Sequence, residues 1–121
     1  MKINVDLVVN NAKENFLKGF NCSQAVVLAF KDYLDVDEST LAKMSSTFGG
    51  GMCRLRETCG AFTGALLVLG LIKGYDTPET GQVKADLYKK GQDLADLFEN
   101  EFSSFLCKDF LHKSGRETPI P

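Results

Sequence analysis

An all-α fold, a single-domain bundle of five to six helices, follows from three observations on the sequence. No stretch alternates apolar and polar residues with period two, so nothing reads as a strand. Helix-start residues recur ahead of segments with three-and-four apolar spacing, at Asn21, Asp37 or Ser39, Thr58, Thr77 and Ser103 or Ser104. From Gly60 to Leu71 every residue except Thr63 is apolar or small, the pattern of a buried central helix. With 121 residues, 44% of them hydrophobic and 25% charged, the chain can enclose one real core.

The first helix is expected over Val5 to Lys18, with Val5, Val8, Val9, Ala12, Phe16 and Leu17 on one face and Gly19 ending it. Asn21 with Gln24 matches a capping box, which makes Cys22 the first residue of a second helix, Cys22 to Leu34. Its inner face is Ala25, Val26, Ala29, Phe30 and Tyr33. A third helix runs from Asp37 or Ser39 to about Phe48 and buries Leu41, Met44 and Phe48. The run Gly49-Gly50-Gly51 stops it. It lacks the Gly-Lys-Ser/Thr ending of a phosphate loop and reads as a backbone bend. Thr58 is the expected N-cap of the central helix, Cys59 to Ile72, where Gly60 and Gly64 offer a smooth strip for a second helix or a flat ligand. Thr77, Pro78 and Glu79 signal the start of a long helix to Asn100, with Val83, Leu87, Leu94, Leu97 and Phe98 as its core stripe. A short helix, Phe105 to Leu111, closes a domain spanning residues 1–113, and residues 114–121 read as a flexible tail.

A net charge of −2 and the absence of a basic stripe speak against nucleic-acid binding. The longest apolar run is too short to span a bilayer, and residues 1–9 do not resemble a signal peptide, so a cytoplasmic protein is expected. In a reducing compartment four cysteines suggest catalytic, redox or metal-binding uses before structural disulfides. Cys22, Cys59 and Cys107 all fall at expected helix starts, where amide N–H groups and the helix dipole favour a thiolate. Arg54 and Arg56, just upstream of Cys59, add positive potential or an anion contact. Cys59 is accordingly expected to have the lowest pKa of the four thiols and to react first. His112 has no ligand-like neighbour and reads as a surface charge near a helix end.

Three segments, Asn21-Cys22-Ser23-Gln24-Ala25-Val26, Phe48-Gly49-Gly50-Gly51-Met52 and Thr58-Cys59-Gly60-Ala61-Phe62-Thr63-Gly64-Ala65, together resemble a family of redox-active proteins named for spaced cysteines and a Cys-Gly-Ala-x-x-Gly motif. Cys107-Lys108-Asp109-Phe110-Leu111 is a weaker match. The resemblance runs from about Phe16 to Leu111. It implies a small all-helical redox protein, often encoded beside transporters, with Cys22, Cys59 and Cys107 among its functional thiols. A similar module in the split-Soret cytochrome implies a haem-binding alternative. The chain departs from the pattern in having no cysteine after Cys107 and in carrying Cys53 where the family commonly has a small residue.

Three readings follow. The first is thiol–disulfide or electron-transfer chemistry at Cys59, with Cys22 or Cys53 as resolving partner, Cys107 as a further candidate, and Gly60, Gly64, Arg54 and Arg56 lining the site. The second is a module in which Cys22 and Cys59, with Cys53 or Cys107, hold a metal, an iron–sulfur cluster or haem. The third is an interaction protein with inert cysteines. Partners implied are a second copy of the chain and a redox or transporter-associated protein.

Overall fold

The computed structural model describes residues 2–78 and 81–111, and for Leu111 only the backbone. Among the described residues six α-helices carry the fold: α1 (Val5–Leu17), α2 (Cys22–Ala29), α3 (Glu38–Ser45), α4 (Gly60–Lys73), α5 (Gln82–Phe102) and α6 (Cys107–Leu111). Short 3-10 turns at Lys31–Tyr33 and Ser46–Phe48 extend α2 and α3. Among the described residues the one extended pairing is an isolated antiparallel bridge between Thr58 and Leu106.

The start of α2 is the anchor. Asn21 accepts from the Gln24 amide at 2.9 Å, and Gln24 Oε1 accepts from the Asn21 amide at 3.1 Å, which completes the capping box. The same two side chains then reach α3: Asn21 Nδ2 donates to the Ser46 carbonyl and Gln24 Nε2 to the Ala42 carbonyl. On the other side Asn15 of α1 donates to the Ala25 carbonyl at 3.2 Å. α2 therefore lies in the middle, packed against α1, α3 and α4. Its Val27 and Leu28 meet Leu41 of α3 and Val68 of α4 in the main core, flanked by Phe20, Phe30 and Leu67.

α4 presses against α2 through its glycines. A Cβ on Gly60 would collide with Cys22 Sγ and sit 2.9 Å from the Phe48 carbonyl oxygen. On Gly64 it would meet the Ser23 carbonyl oxygen at 3.0 Å. The close helix expected at these two positions is thus α2 of the same chain. α4 buries Gly60, Gly64 and Val68 toward α2 and Phe62 toward α5 and α6, and leaves Gly70 and Leu71 near its end exposed. A second apolar cluster ties α4, α5 and α6 together. Phe62 stacks on Phe105 with ring centroids 5.5 Å apart and meets Phe98 at 5.6 Å, and Phe110 touches Phe98 and Phe102.

Several expected boundaries and faces differ. α2 is an α-helix only to Ala29, because Phe30 leaves helical geometry and the chain tightens into a 3-10 turn. α5 begins at Gln82 behind Gly81, not at Pro78; Asp76 and Thr77 precede it in a bend, and Glu79 lies outside the described residues. Phe105 and Leu106 are taken up by pairing with Thr58 and Cys59, so α6 starts at Cys107. Of the expected inner faces, Val5, Val9, Phe16 and Leu17 of α1, Met44 of α3, and Val83 and Leu97 of α5 are exposed, since no element covers them. His112 and the tail 114–121 lie outside the described residues.

Candidate functional site

The glycine run begins an unusual backbone. Gly50, Gly51, Met52, Cys53 and Arg54 have φ of 65°, 72°, 68°, 51° and 60°, and Arg56 follows at 62°. A left-handed residue other than glycine costs about 1–2 kcal/mol, so four such residues here are held by compensating contacts. Amide bonds close the loop on itself: Cys53 N–H donates to the Thr47 carbonyl at 2.8 Å, Arg56 N–H to Gly50 at 3.2 Å and Glu57 N–H to Gly51 at 3.0 Å. Gly51 admits no side chain. Its Cβ would fall 2.6 Å from Cys107 Cβ and 2.7 Å from the Glu57 amide nitrogen.

The loop's exit is laced to the start of α6. Cys59 N–H donates to the Phe105 carbonyl at 2.7 Å, Cys107 N–H to the Glu57 carbonyl at 2.6 Å, and Lys108 N–H to the Arg56 carbonyl at 3.3 Å. This folding turns the Arg56 side chain inward, where it is 1% exposed. Its Nη1 donates to Cys107 Sγ at 3.7 Å, and Cys107 is itself buried. A buried guanidinium is costly unless its donors are met, so this contact orients the sulfur as well as serving the arginine.

Cys59 is the N-cap of α4, one residue earlier than expected for a first helical residue, and Thr58 is engaged in the bridge to Leu106 rather than capping. Cys22, the first residue of α2, places its sulfur against Gly60. The Cys22 sulfur thus lies against the residue that follows Cys59, and the Cys59 and Cys107 amides donate to the Phe105 and Glu57 carbonyls, so backbone contacts bring the starts of α2, α4 and α6 together. Burial is the main cause of a raised pKa at Cys59. The Ala61 and Phe62 amides oppose it without making a capping hydrogen bond to the sulfur. The low pKa expected of Cys59 is therefore reversed: desolvation outweighs the helix start. Arg56 faces Cys107 rather than Cys59.

Cys53 and Arg54 are exposed and stand apart, lining an open cleft of about 640 Å³ with Phe16, Phe20, Asn21 and Gly50. Cys22 borders a shallow apolar groove of about 480 Å³ between α1 and α2, with Phe16, Leu17, Val26 and Ala61. All four thiols are free. Among the described residues no three His, Cys, Asp or Glu side chains are grouped so as to hold a metal ion, so the metal reading gains no ligand set there.

Residues 20–120 match the family model described as "Putative redox-active protein (C_GCAxxG_C_C)". The chain belongs to this family. The matched range contains Cys22, Cys53, Cys59 and Cys107, with no cysteine later in the sequence. No curated protein and no solved structure matches the chain.

Arg56, expected to line the site beside Cys59, is sent inward to Cys107 by the left-handed turn. One further residue of the site escapes a reading of the sequence. Ser23, fully buried beside Cys22, has a hydroxyl with no hydrogen-bond partner among the described residues. The close-packing glycines four apart, facing one turn of α2, are the signal that would have found it.

Among the described residues no helix is long and apolar enough to cross a membrane.

Proposed function

We propose that the protein carries out reversible thiol–disulfide chemistry, with Cys59 and Cys22 as the exchanging pair and Cys107 as the third thiol of the set. The observation that supports this best is the Cys22 sulfur seated where a side chain on residue 60 would be, next to Cys59, with the start of α6 and Cys107 hydrogen-bonded to the same stretch of chain. Membership in the redox family supports the same class of chemistry.

The reaction balances as follows. The Cys22 and Cys59 thiols together give up two protons and two electrons to a disulfide of a partner. A sulfur–sulfur bond forms between them, and the partner leaves as two thiols. A thiol of raised pKa is slow to start such an exchange and is a poor leaving group, which favours attack by an incoming thiolate at the Cys59 sulfur in the return direction. Arg56 holds the Cys107 sulfur within the set. The apolar groove bordered by Cys22 is the approach for a protein or peptide partner. A reducing compartment, a redox partner and a two-copy assembly complete this reading.

The test is oxidation by glutathione disulfide followed by peptide mapping. A Cys22–Cys59 bond, reversed by dithiothreitol and shifting with the glutathione redox ratio, is expected. Recovery of all three thiols unpaired, with adducts at Cys53 alone, would overturn it.

A further inference from the structure

α5 is the longest helix, 21 residues, and none of its residues is buried. It rests on α4 with one side, where Leu87, Gly91, Ala95 and Phe98 are half-buried. Beside that contact runs a second stripe: Val83, Leu87, Lys90, Leu94, Leu97 and Glu101, spaced 4, 3, 4, 3, 4. This is the spacing of a coiled-coil seam. Val83 and Leu97 in it are 48% and 66% exposed.

The charges on α5 run against the helix dipole. Its N-terminal part, residues 82–90, carries Lys84, Lys89 and Lys90 against Asp86 alone, and its C-terminal part carries Asp93, Asp96, Glu99 and Glu101 with no base. A helix on its own prefers the opposite order, acids first and bases last. The first turn here holds no acid and the last turn no base. An antiparallel neighbour of the same kind converts this arrangement into an attraction, because it lays each basic half on an acidic half. The seam is also symmetric about residue 92: positions 83 and 101, 87 and 97, and 90 and 94 are equidistant from it. A two-fold axis pairs a surface with itself, and one placed there sets Leu87 opposite Leu97, Lys90 opposite Leu94 and Val83 opposite Glu101.

We infer that α5 is a dimerisation helix that packs antiparallel against α5 of a second copy of this chain, with the two-fold axis beside Gln92. Leu87 then faces the second copy's Leu97. The Lys90 stem covers the second copy's Leu94, and its ammonium joins the second copy's Asp93, which that copy's own Lys89 also holds. A parallel pairing would set lysines on lysines and acids on acids. The inference is independent of the thiol chemistry, since the seam contains none of the four cysteines.

Sedimentation of the full chain in reducing buffer tests it. A concentration-dependent dimer is expected, and Leu97→Asp should weaken it by about a hundredfold, because a desolvated leucine contact is lost twice. Lys90→Glu and Asp93→Lys should each impair self-association, by setting acid against acid or base against base. An equimolar mixture of these two variants should form a heterodimer, in which both cross-pairs are again of opposite sign. Helical circular dichroism of each variant alone confirms that it is folded. A wild-type monomer at about 0.5 mM, a Leu97→Asp variant that dimerises like wild type, or a mixture that stays monomeric while both variants are folded would each overturn the inference.

Discussion

α2 and α5 are opposite solutions to the same requirement. α2 has eight residues and buries five of them, because α1, α3 and α4 surround it. α5 has 21 residues and buries none. The short helix is specified by caps and by glycines that let a neighbour come within contact of its backbone. The long one is specified by amphipathic spacing alone and meets α4 on one side. Cohesion of the monomer is therefore concentrated around α2, and Cys22 and Cys59 lie there, at the starts of two helices, α2 and α4, that cannot shift without disturbing the core.

The same substitution should separate the two regions by sign. Gly60→Ala drives a methyl group into Cys22 Sγ and the Phe48 carbonyl. Overpacking of a tight contact costs roughly 1–3 kcal/mol and occasionally more, and a backbone oxygen cannot step aside, so a loss of about 3 kcal/mol is expected in urea unfolding. Gly91→Ala on α5 adds a Cβ whose nearest neighbour is Leu66 Cδ2 at 3.5 Å, an ordinary contact. There the helix propensity of alanine dominates, and the variant should gain up to about 1 kcal/mol. Equal and small effects at both positions would mean that the α2–α4 contact is looser than the geometry requires.

A third substitution probes the loop that feeds α4. Cys53 holds φ of 51°, and its thiol is exposed, so its side chain gives little and its backbone is strained. Cys53→Gly should stabilise the fold by up to about 1 kcal/mol, since glycine adopts this conformation without steric cost. Destabilisation would show that the Cys53 side chain secures the loop.

What the sequence revealed follows the same division. The capping box at Asn21 and Gln24, the Asp37 cap and the glycine pair in α4 act locally or between adjacent backbones, and each was legible from residue type and spacing. The faces of α1 and α5 were legible as amphipathic, but not as covered or open, because periodicity does not say whether a partner is present. At Cys59 two local signals, a helix start and nearby arginines, pointed to a thiolate. The result depended on burial and on where the Arg56 side chain goes, and both are decided by a left-handed loop that no pattern of residue types announces beyond three glycines.

The smallest expected effect concerns Cys59 and its pH dependence. Burial raises its pKa in the folded state above the ordinary thiol value, which is about 8.5 in an unfolded chain. Between those two values the folded protein holds the proton and the unfolded chain has released it. Stability from this group is therefore fully present below about pH 8.5 and declines as pH rises through the folded value. Other groups titrate in the same range, so the informative quantity is the difference between wild type and Cys59→Ser in chemical denaturation. Wild type should lose stability relative to the variant as pH rises from about 8 to 10. At neutral pH iodoacetamide should correspondingly modify exposed Cys53 before Cys59, as read by peptide mapping. A difference that grows with pH in favour of wild type, together with early alkylation of Cys59, would show that the Ala61 and Phe62 amides prevail over burial and that the start of α4 holds a thiolate after all.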